Sequence, residues 1–223
     1  IQKELSFFKR FWFGLFQALG GITYKHADGI LTLYEGNKTK EILAGAAPEK
    51  ISIIPNGIDL ELYRNIKVKP RSQGGHVVAF IGRIVAIKDV QTFLHAAKIV
   101  LTDLPDATFL IIGPADEEPG LSEGQPYVIL EANAIGIPVV ATDVGACREM
   151  LEGRTPEDRK IGPSGLVTQV ANPQDTAAAI VKLLTDAETW NKFSESGRSR
   201  TLRYYDQNDL IGHYLNLYEQ NMS

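Results

Sequence analysis

The chain reads as an α/β protein built on a doubly wound parallel sheet, and three observations carry that reading. Short β-rich runs alternate with helical runs along most of its length. The strand candidates are continuous apolar stretches such as VVAFI and TFLII, the pattern of parallel strands buried on both faces. At 223 residues the chain can bury a substantial core, as one large domain or two small ones.

Taken in order, the first element is a helix around FWFGLFQALGG, preceded by Lys9 and Arg10. Phe8, Trp12, Leu15, Phe16 and Leu19 recur on one helical face, and such spacing first implies a core helix of a larger domain. An aromatic amphipathic helix resting on a membrane or a partner is the second reading. A signal peptide is the weakest, because the chain opens on Ile1 rather than Met and is expected to be a piece of something longer. Residues 29–34 and 51–55 read as strands around a helix at 36–44, and Asn56-Gly57 as a type I′ or II turn. Residues 65–75 (NIKVKPRSQGG) are polar, with Pro and paired Gly, and form the best linker. A strand at 77–82, a helix at 89–102 and a strand at 108–113 follow. Then come a helix at 127–135 and strands at 137–142 and 166–170. Helices at 175–185, 187–202 and 207–218 complete the chain.

The chemistry concentrates in residues 121–142, LSEGQPYVILEANAIGIPVVAT. Glu123 sits in a tight loop with Gly124 and Gln125, and Pro126 stands where a first helical residue has no need of its N–H. The following helix is apolar almost all round and is expected to be buried, with Glu131 as the exception inside it. A buried carboxylate is costly unless charge-assisted hydrogen bonds compensate it. A helix start preceded by Gly also aims backbone N–H groups, here of Tyr127 and Val128, at an anion. The arrangement suits a ligand with hydroxyls at both ends and phosphates between them, which describes a nucleotide sugar. The plainer reading keeps Glu123 as a solvated loop carboxylate and Glu131 in a structural ion pair.

A second cluster follows the strand at 77–82. Gly82 closes it, Arg83 comes next, and Lys88 precedes the Asp89 that opens a helix. Ligand crevices of open α/β sheets lie at the carboxyl ends of the strands, which puts both cations at the mouth. Arg offers a planar fork for phosphate and Lys a mobile point charge, although most such residues are simply solvated. Neither GxGxxG nor GxxxxGK[ST] occurs here, so nicotinamide and P-loop readings lack their main support.

Together these motifs resemble the retaining glycosyltransferases of family GT4, which have the GT-B fold. The Glu-x7-Glu spacing of Glu123 and Glu131 is similar to that family's donor-site signature. SEGQPYVILEA, TDVGACREMLEGRTPEDRKIGPSGLV and IIPNGIDLELY resemble the PelF-type enzymes of exopolysaccharide synthesis. The resemblance runs from about Phe11 to about Tyr218. It implies an N-terminal acceptor-side remnant at 1–64 (its last helix and βα elements), a linker at 65–75, a Rossmann-like donor-binding domain at 76–205 and a C-terminal helix at 206–223. It also implies that further βα units belong between Gly120 and Leu121, where IIGPADEEPG runs straight into LSEGQP.

What the resemblance implies about roles is specific. Arg83 and Lys88 would neutralise the donor diphosphate and the charge that develops as the glycosidic bond breaks, so that no metal or other cofactor is needed. Glu123 would bond hydroxyls of the transferred sugar, Gly82, Gly124, Gln125 and Pro126 would shape the donor site, the amides of Tyr127 and Val128 would meet phosphate, and Glu131 would accept from both ribose hydroxyls. The implied partners are a UDP-sugar donor, with UDP-glucose or a related UDP-hexose the guess, and a glycan acceptor. A membrane-associated polysaccharide-synthesis complex completes the set. The implied location is cytoplasmic, peripheral to the inner membrane. Asn56, Gly57 and Asp59 resemble the family's hinge-side turn, and Asp143, Gly145 and Cys147 fall in a loop expected to face the same crevice.

Bulk properties exclude several other classes. A net charge of −4 argues against a nucleic-acid groove. One cysteine, Cys147, cannot form an intramolecular disulfide. Asp116, Glu117 and Glu118 read as a solvated loop rather than a metal site, and His26, His76, His95 and His213 lack metal-ligand spacing. A donor-binding module without transfer activity stays open, as does a glycoside hydrolase using Glu123 and Glu131, which the phosphate-ready helix start disfavours.

Overall fold

A computed structural model describes residues 7–66, 68, 75–114 and 124–222. Glu123, the acidic run at 116–118 and the junction at 120/121 lie outside the described residues, and the linker at 65–75 is described only in part. By packing, the chain forms two compact units, residues 1–55 with 211–223 and residues 56–210.

In the first unit, helix α1 (Phe7–His26) leads to strand β1 (Ile30–Thr32), helix α2 (Glu35–Leu43) and strand β2 (Ile51–Ile53). The two strands pair in parallel, Ile30 opposite Ile51, as a crossover helix between them requires. Ile30, Ala46 and Ile51 form a small core against which Tyr24 and Ala27 pack. Within this unit α1 is not a core helix. Phe8, Trp12, Leu15, Phe16 and Leu19 are exposed, because the apolar cluster of this unit reaches only the last turn of α1.

The second unit holds the remaining sheet structure. Strand β3 (Val77–Ile81) pairs in parallel with β4 (Thr108–Ile112), separated in sequence by helix α3 (Val90–Asp103). Helix α4 (Tyr127–Ala134) precedes strand β5 (Val139–Thr142), which pairs in parallel with β6 (Gly165–Thr168). Helices α5 (Cys147–Glu152) and α6 (Pro156–Arg159) lie between those strands. Helices α7 (Pro173–Thr185) and α8 (Ala187–Tyr204) follow, and α9 (Gln207–Met222) starts in this unit but belongs from Ile211 onward to the first. The α/β class with parallel strands is as the sequence indicated, and strand and helix bounds differ from it by a few residues. The short helices α5 and α6 were not foreseen, since six and four residues are too few to show a helical period.

Among the described residues the parallel strands form three two-stranded ladders. Both ladders of the second unit nevertheless share one cover. Ala96 and Val100 of α3 pack with Ala177 and Ile180 of α7, and Val78, Phe109 and Val140 pack against that cluster. Phe93 extends it with rings 5.5 Å from Phe80 and 5.7 Å from Phe109. Successive side chains of a strand point to opposite faces, so Val77, Ile81, Leu110 and Ile112 face away from this cover and are exposed. Parallel strands normally have both faces covered. Among the described residues the β3–β4 ladder has one.

The deepest polar feature ties the end of the unit to its middle. Arg200 of α8 is fully buried, and its guanidinium Nε donates to Asp158 Oδ1 at 2.7 Å. Its two terminal nitrogens donate to the carbonyls of Leu151 at 2.9 Å and Gly162 at 2.7 Å. Asp158 Oδ2 in turn accepts from the Arg154 N–H at 2.9 Å. Tyr205, one turn beyond Arg200, is buried beside the pair. Burial first, and then the Asp158 charge, push its phenol well above the ordinary 10.0.

Two predictions follow from this network. Arg200→Met leaves the Asp158 carboxylate buried and uncompensated, so denaturant unfolding should show a loss of about 3–5 kcal/mol. Tyr205 binds its proton more tightly folded than unfolded, so its contribution is complete below pH 10.0 and falls as pH rises above it. The pH dependence of stability in that range should be shallower in Tyr205→Phe than in the wild type.

Candidate functional site

Helix α4 organises the candidate site. Pro126 is its N-cap with extended backbone (φ −76°, ψ 121°), not its first helical residue, so Tyr127 takes that place. The helix is also less enclosed than its sequence implied. Ile129, Leu130 and Asn133 are buried, whereas Tyr127 is 50% exposed and Glu131 half-buried. The buried face docks on α8, where Gly197 lies against Asn133 so closely that a Cβ would come within 2.8 Å of its Oδ1. Asn133 also donates to Ser164 Oγ at 3.2 Å, which fixes α4 against the chain entering β6. The N–H groups of Tyr127 and Val128 belong to the first helical turn, where no intrahelical acceptor exists.

Two segments converge on the start of α4. The β5–α5 loop donates the Ala146 N–H to the Gly124 carbonyl at 2.8 Å, which holds Gly124 in place. Gly145 in that loop turns with φ 54°. Cys147 opens α5 and is buried, while Asp143 forms an exposed bidentate pair with Arg148 at 2.8–3.2 Å.

The second segment is 56–63. Gln125 is 6% exposed, and its carboxamide is committed to Asn56: Oε1 accepts the Asn56 N–H at 2.7 Å and Nε2 donates to the Asn56 carbonyl at 3.5 Å. The turn expected at Asn56-Gly57 is not there. Gly57 does not take positive φ, and Ile58 instead bridges in parallel to Asp206, bonded to the Tyr205 carbonyl and the Gln207 N–H at 3.0 Å each. Gly57 is required sterically, since a Cβ would lie 2.9 Å from Gln207 Cα. Asp59 then caps the turn Leu60–Leu62, accepting the Glu61 N–H. This brings Tyr63 near α4, beside the Glu131 carboxylate. Burial first, and then that carboxylate, raise its pKa above the ordinary value. No local sequence signal marked Tyr63, because its partner is remote in the chain.

Arg83 and Lys88 belong to the carboxyl end of the β3–β4 ladder. Gly82 (φ 154°) donates to the Ile112 carbonyl at 2.9 Å, and a Cβ on the neighbouring Gly113 would overlap the Gly82 carbonyl. The two glycines therefore let the strand ends close together beneath the loop that carries Arg83. Lys88 ends the turn Ala86–Lys88, after which Asp89 caps α3 through the Thr92 N–H at 3.2 Å. An open surface depression of about 530 Å³ lies elsewhere, along α8 beside Ile161, Gly162 and Pro163, and contains none of the expected site residues. Among the described residues no three His, Cys, Asp or Glu side chains gather as a metal site. Among them, too, no helix is long and apolar enough to cross a membrane.

Comparison with known proteins agrees with the fold. Residues 118–186 match the family model described as glycosyl transferases group 1, a span that includes α4 and β5–β6. Residues 1–49 match a domain of unknown function, DUF3492. The chain is 22% identical over 215 residues to an MMP alpha-(1->4)-mannosyltransferase of Mycolicibacterium hassiacum, covering 78% of this chain and 49% of that protein. It is 30% identical over 196 residues to a D-inositol 3-phosphate glycosyltransferase of Paenarthrobacter aurescens, covering 65% and 46%. It thus spans about half the length of these curated relatives. Anabaena HepE in complex with UDP-glucose is similar in structure, with a TM-score of 0.66 at 19% identity over 89% of this chain and 65% of that one. The C-terminal domain of the group 1 glycosyl transferase LpcC from Francisella tularensis is matched over 98% of its length and 66% of this chain, with a TM-score of 0.53 at 20% identity.

Proposed function

We infer, from a group 1 glycosyltransferase segment carried on a GT-B-type α/β scaffold, that the chain supplies the donor-binding side of a retaining hexosyltransferase. The observation that carries this reading is the overlap at α4. The stretch with the family match contains a helix start with outward amides and, one turn on, a half-buried carboxylate. In this reading the donor is a UDP-sugar, UDP-glucose or a related hexose, and the acceptor is a growing exopolysaccharide made by a PelF-type system. The UDP-glucose bound by HepE supports the choice of donor.

The chemistry assigned to the residues is as follows. The amides of Tyr127 and Val128 receive phosphate oxygens, with Gly124 leaving room for the approach. Glu131 accepts the ribose hydroxyls, and Glu123 those of the transferred sugar. Arg83 and Lys88, from the loop after Gly82, offset the charge on the departing diphosphate. The bond from the anomeric carbon to phosphate oxygen breaks as an acceptor hydroxyl adds on the same face. Its proton passes to the leaving phosphate oxygen. Two fixed cations do what a divalent metal would otherwise do.

Calorimetric titration with UDP tests the assignment without requiring turnover, and so also covers a module that binds donor but does not transfer. The wild-type chain should bind UDP with EDTA present. Glu131→Gln and Arg83→Ala should each weaken binding by about 1.5–3 kcal/mol, roughly 10- to 100-fold. The Arg83→Ala loss should be larger at low salt, where charge is least screened. Unchanged affinity in either variant removes that residue from the site.

A further inference from the structure

Helix α1 turns its apolar side away from the core of the unit that holds it. At about 100° of turn per residue, its large apolar side chains fall mostly within one arc of roughly 140°. Phe11 marks one edge and Phe16 the other, with Phe8, Trp12, Leu15, Leu19 and Ile22 between them, and all are exposed. Tyr24, which packs on the core of the unit, sits on the opposite side of the helix, as does Phe13. The charges follow the same division. Helix α1 has no acidic residue, whereas the whole chain carries a net charge of −4. Lys9 comes just beyond the Phe16 edge of the arc, Lys25 just beyond the Phe11 edge, and Arg10 on the far side. All three are exposed. A lysine at such a margin can lay its aliphatic stem along the apolar surface and keep its ammonium at the boundary with water.

We propose that α1 docks this chain on an anionic lipid surface, lying in the headgroup plane with the arc from Phe11 to Phe16 turned toward the acyl chains. The aromatic and aliphatic side chains supply apolar burial, and the cations at both margins meet lipid phosphates. Among the described residues no helix is apolar enough to cross a bilayer, so α1 rests on the surface rather than spanning it. A second copy of the chain is a poorer occupant. Two such faces pressed together bring like charges at Lys9 and Lys25 close, with no carboxylate on either helix to offset them. None of these residues belongs to the donor site, so the docking stands apart from that reading.

Vesicle co-sedimentation of the 223-residue chain provides the test. Vesicles of equal parts phosphatidylglycerol and phosphatidylcholine should bind it at least about tenfold more tightly than phosphatidylcholine alone, and the preference should shrink as salt is raised. In a Trp190→Phe background Trp12 is the sole tryptophan, and its emission should shift to the blue on binding. Phe16→Glu should abolish both the shift and the binding. Lys9→Gln combined with Lys25→Gln should cut the preference for anionic vesicles about tenfold and leave binding to neutral ones as it was. Leu43→Glu makes the same change of charge on α2 of the same unit, at a residue 83% exposed, and should leave binding intact. Circular dichroism melts confirm that each variant is folded, as expected for substitutions at exposed positions. No binding to the anionic vesicles, equal binding to neutral ones, or a loss in Leu43→Glu as large as in Phe16→Glu overturns the proposal. So does a Phe16-dependent dimer in light scattering whose Trp12 emission is unmoved by vesicles, which makes the face an interface between copies.

Discussion

The buried guanidinium of Arg200 is the constraint on which the second unit depends. It sits at the meeting of α8, the end of α5, α6 and the turn before β6, and donates to Asp158, Leu151 and Gly162. A fully desolvated charge is tolerable only when each donor finds an acceptor in fixed geometry. That requirement makes the surrounding backbone singular. Leu151, whose carbonyl also accepts from Ser164 N–H and Oγ, cannot shift without leaving several groups unpaired. Once α8 is placed, Gly197 and Asn133 place α4.

The candidate site is thus built on a rigid support and dressed by loops. Helix α4 presents its first amides, while Ala146 holds Gly124 and Gln125 holds Asn56. The cations at 83 and 88 come from a different ladder, whose ends are drawn together by Gly82 and Gly113. The helices α3 and α7 unite the two ladders through a shared apolar cluster. Positions on separate strands are thereby held by one core.

The exposed surfaces have a common character. On α1 the residues Phe8, Phe11, Phe16 and Ile22 are each more than half exposed. On the outer face of the β3–β4 ladder, Val77 and Ile81 are as well. Single exposed apolar residues mean little, but contiguous ones are uncommon in folded chains. Both surfaces coincide with patterns that the sequence reading took as core, a helix face in one case and doubly buried strands in the other. The pattern was read correctly as apolar. Among the described residues nothing covers either surface.

Much of the fold was legible because its signals are local. The run VVAFI ending at Gly82, the Asp89 cap and the glycine before Pro126 act within a few residues of chain, so periodicity and cap chemistry suffice to find strands, helices and the helix start with its carboxylate. What tertiary structure alone decided is pairing across distance. Asn56-Gly57 has the residues of a tight turn yet is drawn straight by a bridge to Asp206. Gln125 looks like a ligand contact yet spends both amide groups on a residue 69 positions away. Arg200 reads as one more charge on a polar helix and is the most deeply buried group of its size. Sequence fixes what each side chain can donate or accept, but its partner is chosen by packing, because only packing determines which groups are shut away from water together.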